Sequence, residues 1–503
     1  MHERIEQQKG LTNSANVSLA QSSSTNEASP RGNGHSTTSN HNGKDNSSNH
    51  NGKEKSTTHN GKENGNGKEI SSDNLNNKKK FLFVSAESLS GDLAWQIKKE
   101  GNEVKAFVER ESDSDVYDGF LDKVTNWKEH VDWADVIVFD DVDFGEHADS
   151  LRAKGKLVVG GTKYTDKLEE DREFGQNEMK RVGMLVLPHW DFTDFNSAID
   201  FIKQNPGKYV FKPSGNVASD QKGILFLGQY DDGKDLIEIL EQNKKLWAKK
   251  IKKFQLQKRA EGVEVAVGAF FNGKDFIYPI NVNFEHKKLF PGNIGPYTGE
   301  MGTLMFWSHP NEIFNNTLFK MKTDLANSGY VGYVDINCIA NPRGIYPLEF
   351  TCRFGYPTIS IQMEGVTSEW GDVMYKLAKG ESFDLKVKKG FQIGVVIAVP
   401  PFPFDDKREA FIYKDMSILF KKPNIDGIHL GDVKLIDNVW TVAGDSGYVL
   451  IVTASGITVE DTRKLVYQRV RNVMLQNMYY RTDIGLKWFT DSDKLHTEGY
   501  LYK

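Results

Sequence analysis

The sequence predicts a multidomain α/β and α+β protein that follows a disordered N-terminal tail. Three features predict it: a low-complexity start, strand patterns alternating with helix patterns from residue 80, and a mostly β pattern after residue 380. We divide the 503 residues into a tail at 1–78, an N-terminal open α/β domain at 79–168, a central domain at 169–380 and a C-terminal β-rich domain at 381–503. This length suffices for about three domains with separate cores.

Composition narrows the class of function. A net charge of −5 argues against a nucleic-acid partner, because such binding depends on positive charge. The longest apolar runs are too short to span a bilayer, so we expect no membrane partner. The two cysteines, Cys338 and Cys352, do not make a disulfide framework, which favours a reducing cytoplasm. We expect small-molecule partners and a monomer or homodimer.

The first 78 residues are rich in Asn, Ser, Gly and Lys, with almost no large apolar side chains. Such a segment buries too little surface to offset the entropy of ordering, so we predict disorder. A His-Asn-Gly-Lys unit begins at His41, His50 and His59. We interpret it as a low-complexity repeat rather than a metal site.

Strand patterns at 81–85, 104–109, 136–140 and 157–160 alternate with helix patterns at 92–99 and 147–154. This order predicts an open α/β sheet with ligands beyond the strand ends. The loop after the first strand contains Ser85, Ser88 and Ser90, and Gly91 precedes the helix. Hydroxyls and amides at a helix start can cap a phosphate.

The central domain begins with an amphipathic helix in the connection 161–187. A strand at 209–213 then contains Lys212 and leads into a loop of small residues at 214–223. A lysine beside backbone amides suits the α- and β-phosphates of a nucleotide, although an ordinary hairpin has the same pattern. Residues 283–302 are polar and rich in glycine, which predicts a long functional loop.

The segment 332–357 predicts a β-hairpin, because two β-rich runs flank the turn Asn341-Pro342-Arg343-Gly344. Alternation puts Asp335 and Asn337 on one face of the first strand and Glu349, Thr351 and Arg353 on one face of the second. Oxygen ligands at this density suit Mg²⁺, and a fixed guanidinium suits a developing negative charge. The alternative is a solvated hairpin face with a salt bridge.

This hairpin resembles the strand pair of the ATP-grasp enzymes, usually written D…E-x-N-x-R. The closer resemblance is to the phosphoribosylamine–glycine ligase family, which carries E-F-N-x-R-F-G-D-P-E where this chain has Thr351 for Asn and Tyr356 for Asp. The similarity runs in order through residues 80–490. The N-terminal open α/β domain of this chain would correspond to the family's domain that precedes the ATP-grasp domain. In the first loop the family's arginine and histidine are missing, and Tyr297 and Glu300 depart in the acceptor segment.

The resemblance implies ATP with Mg²⁺ or Mn²⁺ as cofactors, and it implies a role for each matching position. Metal ligands would be Asp335, Glu349 and Thr351, and catalytic residues would be Lys212 and Arg353. ATP would be bound by Lys212, Gly215, Lys222, Gly223, Gln257, Lys258 and Glu264. In the family's pattern Gln257 and Lys258 would lie at the adenine edge, where the Gln257 amide oxygen would accept a hydrogen bond, and Glu264 would contact the ribose hydroxyls. The acceptor would be bound by His286, Lys287, Gly295, Pro296, Thr298, Gly299, Met301 and Gly302.

The implied activity is ATP-dependent ligation of glycine to 5-phosphoribosylamine through an acyl phosphate, giving glycinamide ribonucleotide, ADP and phosphate in purine synthesis. Two alternatives stay open: a ligase for another amine and carboxylate, and a non-catalytic relic that only binds nucleotide. After residue 380, strand patterns at 392–399, 418–420, 433–436, 439–443 and 448–453 and a helix at 459–473 predict a domain fastened over the cleft. His429 is interpreted as a loop histidine rather than a ligand.

Overall fold

The computed structural model describes residues 78–213 and 224–502. The predicted tail, except residue 78, and the predicted phosphate loop at 214–223 lie outside the described residues. The described residues belong to one compact unit. Within these two ranges no helix has the length and apolar character needed to cross a membrane.

A five-stranded parallel sheet opens the described chain, with strand order β3-β2-β1-β4-β5. Its strands are β1 (Lys80–Ser85), β2 (Glu103–Val108), β3 (Asp122–Lys123), β4 (Val136–Phe139) and β5 (Leu157–Val159). Helices α1 (Gly91–Lys99) and α2 (Gly145–Ala153) connect them. The apolar strands are buried because helices and loops cover the sheet, which confirms the predicted open α/β region.

Two helices rather than one fill the connection after this sheet, α3 (Lys163–Glu170) and α4 (Arg172–Arg181). Asp171 separates them, because its side chain accepts from Phe174 N and caps the second helix. An antiparallel sheet with order β6-β9-β7-β8 follows. It comprises β6 (His189–Phe192), β7 (Tyr209–Pro213), β8 (Phe226–Leu227) and β9 (Phe254–Lys258), with helices α5 (Phe195–Gln204) and α6 (Lys234–Lys250).

An eight-stranded sheet forms the centre of the molecule, with order β16-β15-β10-β11-β14-β17-β22-β19. Its strands are β10 (Val263–Asn272), β11 (Phe276–Glu285), β14 (Gly302–Ser308), β15 (Val331–Asn341), β16 (Gly344–Thr351), β17 (Phe391–Ala398), β19 (Ile428–Leu430) and β22 (Tyr448–Gly456). The sheet continues across residue 380, where the sequence predicts a domain boundary, because β14 pairs with β17. The domain boundaries stay predictions.

Three two-stranded sheets, seven α-helices and the short 3-10 helices Glu111–Asp113, Trp127–His130 and Leu318–Met321 complete the described elements. The strand pairs are β12 (Lys288–Phe290) with β13 (Ile294–Tyr297), β18 (Leu419–Phe420) with β23 (Val473–Met474), and β20 (Val433–Ile436) with β21 (Val439–Val442). The helices are α7 (Glu312–Asn316), α8 (Lys322–Ser328), α9 (Thr358–Gly365), α10 (Trp370–Ala378), α11 (Lys407–Tyr413), α12 (Val459–Val470) and α13 (Trp488–Thr497). The mixed α/β and α+β class is confirmed.

One local prediction is wrong in part. The glycine-rich segment 283–302 is not a continuous loop: it begins inside β11 and contains the β12–β13 hairpin. Gly295 has φ of +85°, and a Cβ there would meet the ring of Phe290 at 2.7 Å. Only glycine permits this backbone conformation and this close approach in the β12–β13 pair. A glycine-rich composition is therefore needed here by a strand pair, although in the sequence it resembles a loop.

Candidate active site

The antiparallel strands β15 and β16 bring the predicted metal ligands together. In their register Asp335 lies opposite Thr351, and Asn337 lies opposite Glu349. Opposite side chains in such a ladder share a face, with Cβ atoms about 5 Å apart. The hairpin therefore presents four oxygen-bearing side chains on one face, as the alternation along each strand predicts. This face, made by Asp335, Asn337, Glu349 and Thr351, is called the metal face below, after the ligands predicted to lie on it.

Asp335 is the most buried acid of this group, with 4 % of its surface exposed. Burial, followed by the negative charge of Glu285, raises the pKa of Asp335 to about 8, although a hydrogen bond from Thr351 and the charge of Arg353 oppose the rise. A carboxyl group in this state lacks a compensating cation. A divalent cation beside Asp335 would stabilise its charged form.

The ammonium group of Lys287 lies among three carboxylates. Its Nζ is 3.4 Å from Glu264 Oε1, 3.4 Å from Glu285 Oε2 and 3.3 Å from Glu349 Oε1. Attraction to Lys287 is the main cause that lowers the pKa of the half-exposed Glu349 to about 2. The structure thus joins the predicted ribose ligand Glu264, the predicted acceptor ligand Lys287 and the predicted metal ligand Glu349 in one cluster.

Lys212 lies on β7, and its Nζ donates to Gln257 Oε1 of the neighbouring strand β9 at 2.7 Å. Burial, followed by the positive charge of Arg172, lowers the pKa of Lys212 to about 7. The opposite charge of Glu349 acts against this fall, so the lysine lies near the metal face. An anion placed beside Lys212 would restore its full positive charge.

The two residues predicted to contact adenine, Gln257 and Lys258, already have partners within the chain. The Oε1 atom of Gln257 is taken by Lys212, while its buried Nε2 has no hydrogen-bond partner within the described chain. The ammonium of Lys258 lies 4.8 Å from the ring centroid of Tyr209. Gln257 therefore offers a donor to a ligand, whereas the sequence predicts that its amide oxygen accepts.

Arg172 at the start of α4 is a residue that the sequence prediction misses. Its charge helps to lower the pKa values of both Lys212 and Glu349. Its buried Nε has no partner among the described residues, which leaves a donor available beside the metal face. The sequence signal was only a charged helix start, Asp171-Arg172-Glu173, which is common on protein surfaces.

Arg353 is held by two acids from the N-terminal half of the chain. Its guanidinium lies 3.1 Å from Glu169 Oε1 and 3.5 Å from Asp141 Oδ1. Glu169 also accepts from Cys352 N at 2.7 Å, which fixes the end of β16 against α3. The structure thus gives Arg353 a fixed position near Asp335, but with its charge already paired. Its predicted catalytic role stays a prediction.

The predicted acceptor segment is fixed by the C-terminal part of the chain. The fully buried Arg481 donates to Lys288 O at 2.8 Å and to Asn293 Oδ1 at 3.0 Å, and it pairs with Asp483 at 2.7 Å. Asp483 in turn accepts from Gly292 N at 3.0 Å. The tips of the hairpin are therefore held in place, as expected of a domain that fastens the cleft.

The other predicted acceptor residues line the same segment. Thr298 donates to Lys287 O from both its amide and its hydroxyl, at 2.8 and 2.9 Å. Both ring nitrogens of the buried His286 lack partners within residues 78–213 and 224–502. Burial, with Lys487 and Arg481 nearby, lowers the pKa of His286 to about 3, so the ring is neutral. The segment also contains Gly295, Pro296, Gly299, Met301 and Gly302.

The first loop differs from the expected phosphate cap. Ser90 N donates to Asp140 Oδ2 at 3.0 Å, and Gly91 N donates to the Tyr117 hydroxyl at 2.9 Å. The amides at the start of α1 are therefore occupied by side chains of this chain. Ser88 Oγ donates to Asp432 Oδ1 at 3.4 Å, so the loop meets carboxylates where a phosphate was expected. The predicted phosphate residues Gly215, Lys222 and Gly223 lie outside the described residues.

The donors on β15 and β16 fit a hard divalent cation. Carboxylates and a hydroxyl are ligand types that Mg²⁺ and Mn²⁺ accept, and Asn337 Oδ1 is buried without a hydrogen-bond partner in the described chain. Within the two described ranges no three His, Cys, Asp or Glu side chains are grouped to hold a metal by themselves. Phosphates and water would complete the ligand set, as is usual for Mg²⁺.

Comparison with known proteins identifies the central region. Residues 170–359 match the family model described as phosphoribosylglycinamide synthetase, ATP-grasp (A) domain. Residues 170–359 of this chain are therefore similar to the ATP-grasp domain of that family. The match covers strand β7 with Lys212, the cluster around Lys287 and the β15–β16 face, so the grouped side chains fall inside the family's ATP-grasp domain.

Relatives of the phosphoribosylglycinamide synthetase family match over most of their length. The phosphoribosylamine–glycine ligase of Clostridium acetobutylicum is 25% identical over 350 residues, covering 67% of this chain and 80% of the relative. That of Streptococcus pneumoniae is 24% identical over 348 residues with the same coverage.

Solved structures agree on the fold. The phosphoribosylamine–glycine ligase from Thermotoga maritima has a TM-score of 0.60 at 20% identity and covers 81% of this chain and 100% of its own. A biotin carboxylase from Campylobacter jejuni has a TM-score of 0.55 at 13% identity, covering 85% of this chain and 99% of its own. Both likenesses show the fold, and only the first shares the family name.

Proposed function

We propose that this protein is an ATP-dependent ligase that joins glycine to phosphoribosylamine and releases glycinamide ribonucleotide, ADP and phosphate. The observation that carries the proposal is the single face on which Asp335, Thr351, Asn337 and Glu349 meet, with Lys212 and Lys287 close enough to alter the pKa of Glu349. That face lies in the family's ATP-grasp domain, and the named relatives carry the same activity.

The nucleotide would bind between β7, β9 and the β15–β16 face. Lys212 would hold the phosphates, together with Gly215, Lys222 and Gly223, while Gln257, Lys258 and Glu264 would contact the base and ribose. Asp335, Glu349 and Thr351 would hold Mg²⁺ or Mn²⁺. When bound, the cation supplies charge neutralisation to the β- and γ-phosphates.

In the first step an oxygen of the glycine carboxylate attacks the γ-phosphorus, the bond to the bridging oxygen breaks, and ADP leaves. In the second the acceptor amine attacks the acyl carbon, phosphate leaves with the bonding electrons, and the nitrogen loses a proton. The fixed charges of Lys212, Arg172 and Arg353 serve both steps by orientation and by stabilising negative charge. His286, Lys287 and the segment 295–302 would bind the acceptor.

A second candidate is a ligase of the same mechanism for an amine without a phosphate. The observation that favours it is the first loop, where Asp140 occupies an amide at the start of α1 and Asp432 meets Ser88. These side chains take the donors of the loop that a phosphate would need. Because Cys338 and Cys352 are buried free thiols, we propose a reducing cytoplasm as the setting for either reaction, and a monomer or homodimer.

The test is ADP release by the full chain with Mg-ATP and glycine, with and without freshly prepared phosphoribosylamine. Release that needs both substrates, with glycinamide ribonucleotide identified by mass, is the expected result. Release with glycine and an unphosphorylated amine instead would support the second candidate. Absence of release with every amine and carboxylate, in a protein that still binds ATP, would refute ligase activity and indicate a nucleotide-binding relic.

A further inference from the structure

Glu300 is a buried carboxylate without a partner. Only 7 % of the surface of Glu300 is exposed, and its Oε1 accepts no hydrogen bond from any described residue. Leaving a buried carboxylate oxygen unpaired is costly, so such atoms in native proteins commonly mark a place where a ligand supplies the missing donor. No step of the proposed reaction involves Glu300.

The backbone on both sides of Glu300 is firmly held, so the side chain cannot turn to solvent by a simple loop movement. Met301 N donates to His286 O at 2.9 Å, and His286 N donates to Gly302 O at 3.0 Å. On the other side Val396 N donates to Met301 O at 3.1 Å. Glu300 is thus fixed between the end of β11 and strand β17.

The cations near Glu300 are committed to other groups. Lys287 is within 3.4 Å of Glu264, Glu285 and Glu349, and Lys487 Nζ donates to Glu285 O at 2.7 Å. Neither lysine forms an ion pair with Glu300 within the described chain. The charges of Glu285 and Asp335 add to burial and raise the pKa of Glu300 well above its usual value.

A second unpartnered group lies on β22, where Tyr448 pairs with Ala398 of β17, the strand whose Val396 N holds Met301. The hydroxyl of Tyr448 is buried without a hydrogen-bond partner among the described residues. Burial, followed by the charges of Glu300 and Asp432, raises the pKa of Tyr448. The unpartnered carboxylate oxygen of Glu300 needs a ligand with an N–H donor, and the Tyr448 hydroxyl can accept from such a group.

We propose that Glu300 and Tyr448 bind the amino group of a substrate at the edge of the metal face. This inference rests on the proposed ligase function, in which two amino groups approach that face: the nucleophilic amine of the acceptor and the α-ammonium of glycine. Both present N–H donors to Glu300 Oε1. The position of Glu300 near Asp335 and Glu285 would hold the amino group close to the carboxyl group that becomes phosphorylated.

The test compares steady-state kinetics of the full chain with those of Glu300→Gln and Tyr448→Phe, with exposed Glu238→Gln as a matched control. Loss of a charge-assisted hydrogen bond predicts a rise of about 10- to 100-fold in one KM for Glu300→Gln and a smaller rise for Tyr448→Phe. The KM for ATP should stay unchanged. Because the native carboxylate is unpaired, the Tm of Glu300→Gln should equal or exceed that of the wild type.

The two sources of the amino group give different outcomes. A rise confined to the KM of phosphoribosylamine places the acceptor amine at Glu300, and a rise confined to the KM of glycine places the α-ammonium there. Unchanged KM values for both in Glu300→Gln overturn the inference. A lower Tm with no change in either KM would show a structural role and would overturn it as well.

If the wild type releases no ADP with glycine and phosphoribosylamine, the proposed function fails, and binding decides on Glu300. The probe is then a panel of primary amines and amino acids in a thermal-shift titration with Mg-ADP. A shift that the wild type shows and Glu300→Gln loses supports the amino-group site. No Glu300-dependent shift with any of these amines overturns it.

Discussion

Binding of the nucleotide should be accompanied by uptake of a proton at Lys212. Burial and Arg172 lower the pKa of this lysine to about 7, so about half of the molecules carry its proton at pH 7 and about a tenth at pH 8. Phosphate groups beside Nζ favour the charged form and raise the pKa again. Lys212 alone should therefore take up about 0.5 proton at pH 7 and about 0.9 at pH 8, whereas a cation beside Asp335 would release the proton of that carboxyl group.

The sign follows from the direction of the pKa change. Below pH 6 the lysine is already charged in the free protein, so little proton uptake remains. Above pH 7 Lys212 must gain the proton when the nucleotide binds, and the contribution of Lys212 to nucleotide affinity should fall by about fivefold between pH 7 and pH 8. The fall should approach tenfold for each further pH unit while the lysine in the complex stays charged.

Isothermal titration with Mg-ADP in two buffers of different ionisation enthalpy measures the proton count directly. The proton uptake of the wild type minus that of Lys212→Met should be about 0.9 at pH 8, and the affinity of the variant should be about 10- to 100-fold lower, since a hydrogen bond to a charged group is lost. Lys208→Met is the matched control, because Lys208 precedes the same strand but pairs with Glu261 at the surface. A difference in uptake between wild type and Lys212→Met that is the same at pH 6 and pH 8 would refute the reasoning.

Three further outcomes follow from the geometry. Glu349→Gln and Asp335→Asn should each lower kcat by at least about 100-fold without lowering Tm, as measured by ADP release and thermal unfolding. Burial is the main cause that raises the pKa of Asp140 to about 7. The free energy of unfolding should therefore fall by up to about 4 kcal/mol as pH rises from about 4 to 7, and urea unfolding of Asp140→Asn should lack this pH dependence. Arg481→Met leaves Asp483 without its partner and frees the hairpin, which should cost about 3 kcal/mol of unfolding free energy and raise the KM for the acceptor, with the affinity for Mg-ADP unchanged.

Regular alternation explains why the metal face could be predicted. Within each strand the spacing of two residues fixes which side chains share a face. The pairing of Asp335 with Thr351 and of Asn337 with Glu349 also needs a register shift between Asn337 and Cys338, because the turn at Asn341 and Gly344 alone would pair each strand one residue differently. The same local logic predicts the strand of Lys212 and the parallel sheet at the start of the described chain.

Contacts between distant segments explain what the sequence does not reveal. Asp140 and Ser90 are 50 residues apart, and Ser88 and Asp432 are 344 residues apart, so no local pattern announces that carboxylates occupy the first loop. The ion pairs of Arg353 are likewise set by how α3 packs on β16 rather than by strand periodicity. Sequence reasoning places such a residue on a face but does not supply its partner.

The charges around the metal face favour a metal-bound nucleotide over a free one. Glu264, Glu285 and Glu349 share the single ammonium of Lys287, and Asp335 is buried beside them with a raised pKa. These carboxylates would repel a free triphosphate, whereas they would attract a divalent cation, which would offset the negative charge of the site and of the nucleotide. These acids repel one another in the free protein. For the same reason, nucleotide binding at this site would depend on the cation.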